Sequence, residues 1–136
     1  MRKRFPKRTP KPMVDRKLRS GFERKVRKHL EASGAEYSYE SMVIKYEIPS
    51  SVHKYVPDWV LANGIIVESK GFWDSRSRMK MAMVIEQHPE LDIRLLFQRD
   101  NSISKTSKTK YSDWCSKRGI KFAVSADGRI PEEWLL

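Results

Sequence analysis

The first regular pattern of apolar positions along the chain is helical. Apolar residues recur at four-residue spacing and form a stripe along one side of a helix, namely Phe22, Val26 and Leu30. Ser20 and Glu23 have the spacing of a capping box, and Gly34 is typical of the position just beyond a helix end. The pattern predicts a helix over residues 20–33. A capping box by itself already gives Glu23 a structural role.

The stretch after this helix changes to a strand pattern. Residues 36–48 are rich in Tyr, Val and Ile and lack helical periodicity, which predicts one or two strands, interrupted near Ser41 and ended by Pro49. Residues 50–54 are predicted as a connector. Within it, His53 is a candidate for contact with a phosphate.

Two further strands, over residues 57–61 and 65–70, flank the turn signal Asn63-Gly64. The remaining elements follow from the same cues: a helix over 75–88, a strand over 91–97, a helix from Thr109 to Arg118, a strand over 120–124 and a last helical turn over 131–134. Strand, helix and strand in succession make the strands at 65–70 and 91–97 parallel neighbours. The predicted fold class is therefore α/β.

The length of the turn decides which polar residues share a face of the hairpin. A two-residue loop opposes Asp58 to Ser69 and so puts Asp58 and Glu68 on opposite faces. A three-residue loop with Gly64 in the left-handed region opposes Asp58 directly to Glu68. We favour the second register because it gathers two carboxylates and the ammonium of Lys70 at one end of the hairpin.

Such a trio suits phosphodiester hydrolysis. Two carboxylates on a rigid sheet bind Mg²⁺, which polarises a phosphate and lowers the pKa of a bound water. A lysine nearby orients that water or stabilises the developing charge. The short motif alone is not specific, because an acid two residues before a lysine occurs three times in the chain. An exposed ion pair between Glu68 and Lys70 on an edge strand is the alternative interpretation.

The composition fits one small domain and excludes several classes of protein. The chain has 136 residues, of which 33% are charged and 39% hydrophobic. Cys115 is the single cysteine, which excludes a disulfide scaffold and argues against a Cys/His zinc site. No apolar run approaches the ~20 residues that span a bilayer, and no signal peptide is recognisable. We expect a basic, soluble, intracellular domain without membrane association.

The net charge of +11 is concentrated near the N-terminus. Residues 1–19 hold nine Lys/Arg and one acid, whereas residues 20–136 hold nineteen and sixteen. The first segment has few apolar residues, which predicts a flexible arm that binds a polyanion; a solubilising tail or a localisation signal is the alternative. Residues 100–110 are predicted as a second basic segment, a loop. The candidate DNA-binding residues are Arg2, Lys3, Arg4, Lys7, Arg8, Lys11, Arg16, Lys17, His53, Lys105, Lys108 and Lys110.

From about Arg19 to Trp134 the chain resembles the phage endonuclease I family, the Holliday-junction resolving enzymes of T-odd-type podophages within the restriction-endonuclease-like superfamily. The matching segments, in order and at matching spacing, are Arg19-Ser20-Gly21-Phe22-Glu23, Pro57-Asp58-Trp59, Asn63-Gly64-Ile65, Val67-Glu68-Ser69-Lys70-Gly71, Glu86-Gln87-His88-Pro89-Glu90-Leu91-Asp92-Ile93-Arg94 and Gly119-Ile120-Lys121-Phe122-Ala123. The family has an acid between two strand aromatics, where this chain has Ser38, with Glu40 two positions on.

The resemblance implies a structure-selective, Mg²⁺-dependent endonuclease, with Mn²⁺ as a substitute. The family cleaves four-way DNA junctions and leaves 5′-phosphates by paired nicks. Carried over residue by residue, Asp58, Glu68 and the backbone carbonyl of Ser69 resemble the metal ligands. Lys70 resembles the catalytic lysine, and Glu23 a further catalytic acid that would serve a second ion.

The fold that the resemblance implies is a restriction-endonuclease-like mixed β-sheet flanked by helices, in an intertwined homodimer. Residues 20–136 would form the nuclease domain, and residues 41–52 the exchanged strand and bridge. Each site would take Glu23 from one chain and its other acids from the partner. The expected location is the cytoplasm of the phage-infected bacterial host. Two rivals remain: a single-site nicking or mismatch endonuclease, and a non-catalytic architectural DNA-binding protein.

Overall fold

A computed structural model of the protein describes residues 20–48 and 51–136. The helices are α1 (Gly21–Ala32), α2 (Ser75–Gln87), α3 (Tyr111–Lys117) and α4 (Glu132–Leu135). The strands are β1 (Tyr37–Tyr39), β2 (Ile44–Ile48), β3 (Ser51–Tyr55), β4 (Trp59–Leu61), β5 (Ile66–Lys70), β6 (Ile93–Phe97) and β7 (Lys121–Val124). The predicted N-terminal arm, with its eight candidate DNA contacts, lies outside the described residues.

The central element is a five-stranded mixed sheet in the order β1-β4-β5-β6-β7. The β1–β4 and β4–β5 pairs are antiparallel, whereas β5, β6 and β7 run parallel. The prediction that the strands at 65–70 and 91–97 are parallel neighbours is confirmed. The α/β fold class is confirmed as well, because helix α2 makes the crossover between β5 and β6.

Two local predictions were wrong. Residues 51–55 form strand β3, which pairs antiparallel with β2 from Ile44↔Tyr55 to Ile48↔Ser51, and so are not a connector. Pairing with β2 satisfies the backbone groups of this segment, a long-range gain that local propensity does not reveal. Helix α3 begins at Tyr111 rather than after Thr109, because the carboxylate of Asp113 accepts the N–H of Lys110 at 2.9 Å.

Each face of the sheet is covered by its own apolar cluster. One face packs against α2, α3 and the β2–β3 hairpin, with buried residues that include Ile44, Tyr46, Val60, Ile66, Met81, Val84, Leu95 and Trp114. The other face packs against α1 and α4, with buried residues that include Phe22, Val26, Leu30, Trp59, Leu61, Val67, Leu96 and Trp134. The apolar stripe of α1 is thus confirmed as the buried side of that helix, and the sheet lies between two helical layers.

Gly128 fixes the position of α1 against the C-terminal segment. Its φ is +74°, and a Cβ atom there would lie 2.7 Å from the backbone nitrogen of Val26 and 2.9 Å from the carbonyl carbon of Lys25. We expect Gly128→Ala to lower the free energy of unfolding by more than about 2 kcal/mol, because it adds a backbone clash to the cost of a left-handed alanine.

The matched control is Gly34→Ala. Gly34 has a similar φ of +65°, but a Cβ atom added there would meet no other atom within 4 Å. Gly34→Ala therefore has the energetic cost of an alanine with left-handed backbone angles but no steric clash. Urea unfolding of both variants measures the difference, and equal losses of stability would contradict the close approach of Gly128 to α1.

Candidate active site

The hairpin of β4 and β5 has the register that places Asp58 across from Glu68. The pairs are Trp59↔Val67 and Val60↔Ile66, and the N–H of Leu61 donates to the carbonyl of Ile65 at 2.8 Å. A three-residue loop, ending in a glycine with φ of +93°, closes the turn. The favoured register is therefore confirmed, and the two-residue loop is excluded.

Each of the two carboxylates is held by one of its oxygens. Oδ2 of Asp58 accepts hydrogen bonds from the backbone N–H of Ser69 at 3.0 Å and from its hydroxyl at 2.9 Å. Oε2 of Glu68 accepts from the hydroxyl of Tyr55 at 2.5 Å and from the N–H of Asp58 at 3.2 Å. These bonds fix both side chains while using one oxygen of each.

The ammonium of Lys70 approaches the other oxygen of Glu68. Its Nζ lies 3.3 Å from Oε1, and the lysine side chain is 30% exposed whereas that of Glu68 is 6% exposed. The exposed edge-strand ion pair considered from the sequence is thus wrong, because β5 lies inside the sheet and Glu68 is buried.

Burial makes this pair of carboxyls electrostatically unusual. Burial raises the pKa of Asp58, and the nearby charges of Glu68 and Glu23 raise it further. Burial also raises the pKa of Glu68, an effect that Lys70 and the hydroxyl of Tyr55 partly offset. Two buried, adjacent carboxylates are costly unless a cation compensates them.

Glu23 lies near these carboxylates within one chain, since its charge contributes to the raised pKa of Asp58. It lies in the first turn of α1, and its N–H donates to the hydroxyl oxygen of Ser20 at 3.1 Å, so the predicted cap is confirmed. The residue is 6% exposed, and its carboxylate accepts a hydrogen bond from the hydroxyl of Tyr39. A cleft of about 550 Å³ is lined by Glu23 together with Ser69 and Lys70.

The donor set of this site fits a hard divalent cation and does not fit zinc. Among the described residues, no group of three or more His, Cys, Asp or Glu side chains comes close enough together to hold a metal ion. Two carboxylates with a main-chain carbonyl and waters are nonetheless sufficient for Mg²⁺, which keeps several waters. Oδ1 of Asp58 and Oε1 of Glu68 are the oxygens that the Ser69, Tyr55 and Asp58 donors leave unused.

Comparison with known proteins decides the family. A sequence model described as phage endonuclease I matches residues 6–136. The chain belongs to the phage endonuclease I family. It is 49% identical over 119 residues to endonuclease I of Escherichia phage T7, covering 87% of this chain and 78% of that protein. It is 52% identical over 109 residues to endodeoxyribonuclease 1 of Enterobacteria phage T3, covering 79% and 72%. The protein is thus a phage DNA endonuclease.

The candidate DNA-binding residues in the described part of the chain do not line this cleft. His53 is exposed on β3, where its ring packs 5.6 Å from that of Tyr46 and its Nε2 lies 2.8 Å from the hydroxyl of Ser51. The exposed lysines between β6 and α3 are Lys105, Lys108 and Lys110. No helix in the described ranges is long and apolar enough to cross a membrane.

Two tyrosines of the candidate site were missed from the sequence. Burial and the charge of Glu68 raise the pKa of Tyr55, so its hydroxyl keeps the proton that it donates to Glu68. Burial likewise raises the pKa of Tyr39, the partner of Glu23. The available signal was the alternation of side chains along a strand, which puts His53 and Tyr55 on one face just before Pro57-Asp58. That alternation places a tyrosine beside the acid only once β3 is recognised as a strand.

Metal-free Asp58→Asn protein should be more stable than wild type at neutral pH. The amide keeps an acceptor for Ser69 but removes a buried charge. The pKa of Asp58 in the folded protein is raised above its unfolded value of about 3.9. The stability contributed by the protonated side chain is therefore complete below the unfolded pKa, and it is lost as pH rises through the folded pKa. We expect a gain of at least about 1 kcal/mol at pH 7.5 in EDTA, since one pKa unit corresponds to about 1.4 kcal/mol.

The measurement is chemical unfolding of both proteins between pH 4.5 and 7.5, and the gain should shrink toward the lower pH. Asp74→Asn is the control, because the pKa of Asp74 is shifted in the opposite direction. The backbone N–H of Ser77 holds the pKa of this exposed helix-capping carboxyl below its usual range. Its charge therefore stabilises the fold as pH rises, and its removal should bring no gain at pH 7.5. A destabilised Asp58→Asn protein at neutral pH would contradict the electrostatic account.

Proposed function

We propose that this endonuclease resolves four-way DNA junctions and other branched DNA by Mg²⁺-dependent hydrolysis, leaving 5′-phosphates by paired nicks. The observation that supports the chemistry best is the pair of buried carboxylates, Asp58 and Glu68, each held by one oxygen beside Lys70. Oδ1, Oε1 and the carbonyl of Ser69 would hold Mg²⁺, and Mn²⁺ would substitute because it accepts the same ligands.

The residues of the chain have separate tasks in this hydrolysis. When bound, the ion polarises the scissile phosphate and lowers the pKa of a water. Tyr55 and Ser69 fix the direction of the two carboxylates, so that little reorganisation is needed when substrate arrives. Lys70, partly exposed in the cleft wall, orients the attacking water and offsets charge on the phosphate. Glu23 would serve a second ion.

The proposal includes an intertwined homodimer in the cytoplasm of the infected host cell. In the described single chain, β2 pairs with β3, and two residues outside the described ranges separate them. Opening the chain there would let residues 20–48 occupy the same place on a partner, with the same contacts formed between chains. Residues 41–52 would become the exchanged strand and bridge. Two sites at fixed separation could then cut two strands of a junction.

A labelled four-way junction and a linear duplex of the same sequence, each with and without Mg²⁺, test this function. The expected result is paired nicks on the junction, 5′-phosphate ends, and little cleavage of the duplex. Nicking of a single strand per binding event would favour a single-site nicking or mismatch endonuclease. Tight junction binding without product in Mg²⁺ would favour an architectural DNA-binding role and contradict the proposal.

The proposal assigns junction affinity largely to the cations of residues 2–17 and to the lysines between β6 and α3. Deleting residues 2–17 removes eight Lys/Arg and one acid. If the arm binds phosphates, the slope of log affinity against log salt should flatten by about 0.9 for each duplex phosphate that the protein no longer neutralises. A full-length variant with the eight cations changed to Gln keeps the length and separates charge from chain length. An unchanged slope in both variants would make the arm a solubilising tail or a localisation signal.

A further inference from the structure

Phe72 is the one aromatic side chain in the described part of the chain that is mostly exposed. It is 77% exposed, whereas its neighbour Trp73 is fully buried. A single exposed apolar residue is common on protein surfaces and by itself requires no explanation. The position of Phe72 does require an explanation, because this residue lines the same cleft as Glu23 and Lys70.

The chain on both sides of Phe72 is anchored. Before it, the carbonyl of Lys70 accepts the N–H of Gln98 at 3.0 Å. After it, the N–H of Trp73 donates to the hydroxyl of Tyr111 at 3.1 Å, and its carbonyl accepts from Arg78 at 2.7 Å. The Trp73 ring also packs against three aromatic rings, those of Phe97, Tyr111 and Trp114. Phe72 is therefore presented to solvent by a rigid backbone, a pre-organised arrangement that lowers the entropic cost of binding.

The surroundings of Phe72 identify the chemistry of its partner. Lys25 and Lys70, which line the same cleft, supply positive charge for a DNA phosphate. A phenyl ring has no hydrogen-bonding group, so what it recognises in DNA is the flat face of a base. Phe72 is two residues from Lys70, which places their Cα atoms within about 7.6 Å of each other. This upper limit on the separation corresponds to roughly two base steps of about 3.4 Å.

We propose that Phe72 determines specificity by stacking on a base at the branch point, within two nucleotides of the scissile phosphate. The inference rests on the proposed junction-resolving function. In a continuous duplex each base is covered by its neighbours, and insertion of a side chain requires unstacking. At a branch point the stack is interrupted, so that a base face is available to a fixed aromatic ring. Phe72 thus favours branched over linear DNA without reading sequence.

Phe72→Ala is the central variant. We expect kcat/KM on a four-way junction to fall about 10-fold, within the range for the loss of one base–aromatic stack. Residual cleavage of linear duplex should be unchanged, so the preference for the junction falls by the same factor. Phe72→Trp should retain the preference. Leu136→Ala is the control for loss of exposed apolar surface, because Leu136 is 87% exposed and its carbonyl lies at the Asn63 turn, at the far end of β5.

A binding readout separates stacking from chemistry. The fluorescent base 2-aminopurine is placed at the branch point or six base pairs away, and the junction is bound by cleavage-defective Lys70→Ala protein. On binding, fluorescence should change only when the probe is at the branch point. The change should disappear when Phe72→Ala is combined with Lys70→Ala in the same chain. An unaltered junction preference in Phe72→Ala, or the same fluorescence change with and without Phe72, would overturn the inference. A wild-type protein without junction preference would instead contradict the proposed function.

Discussion

Lys70→Ala is expected to lower the rate of junction cleavage by about 10³-fold while leaving junction affinity near wild type, because one positioned charge contributes roughly this much to a rate. The ammonium of Lys70 lies 3.3 Å from Oε1 of Glu68, at the oxygen that would face the metal. It acts on the water and the phosphate during the reaction. Most of the cations proposed to bind the DNA backbone, those of residues 2–17 and the lysines between β6 and α3, are unchanged in this variant.

Glu68→Gln tests the same site from the carboxylate side. Its amide oxygen can still accept from Tyr55, but the group that replaces Oε1 is an NH₂ that repels a cation. Lys121→Ala is the matched lysine control, because Lys121 is exposed at the start of β7, at the end of the parallel strands away from Lys70. Single-turnover cleavage and equilibrium binding in Ca²⁺ separate rate from affinity. Near-wild-type cleavage by either active-site variant would contradict the assignment.

Local chemistry in the sequence was enough to predict the register that brings Asp58 to Glu68. Asn63-Gly64 with its flanking strands limited the hairpin to two registers, and one of them brought Asp58 to Glu68. The structure has that register. The prediction succeeded because strand pairing across a short turn is governed by residues close in sequence.

The supporting contacts could not be predicted in the same way. Tyr55 reaches Glu68 only because β3 pairs with β2 and turns that side chain inward, and the exposed residues of β3 conceal the strand in the sequence. Tyr39 reaches Glu23 across 16 residues, through the packing of α1 on the sheet. Such contacts depend on tertiary packing, which local propensity does not specify.

Exchange between chains is also invisible to local pattern, since a swapped and an unswapped protein make the same contacts. In the described chain, Glu23 lines the cleft of its own Lys70, and the charge of Glu23 contributes to the raised pKa of Asp58. An exchanged dimer would preserve these neighbours but take Glu23 from the partner. A measurement that identifies which chain supplies each residue is therefore required.

Heterodimers of two inactive chains supply that measurement. If sites are shared, a Glu23→Gln chain combined with an Asp58→Asn chain forms one site with both substitutions and one site with neither. A heterodimer of two inactive chains should therefore regain nicking at a single site, whereas it should not regain coordinated cleavage of both strands. If each chain builds its own site, both sites in the heterodimer keep one substitution and the mixture remains inactive.

The chains must be assembled together, because an intertwined dimer exchanges subunits slowly. Co-expression with two different affinity tags and sequential purification yields a verified heterodimer, and doubly tagged homodimers of each parent provide the background. A heterodimer of Glu23→Gln with wild type is the positive control, since it contains one intact site under either arrangement. No recovered nicking in the mixed heterodimer, with an active control, would mean that Glu23 serves its own chain. An active Glu23→Gln parent would mean that Glu23 has only a structural role in the first turn of α1. Recovery of nicking to a level comparable with that control would assign Glu23 to the partner's site.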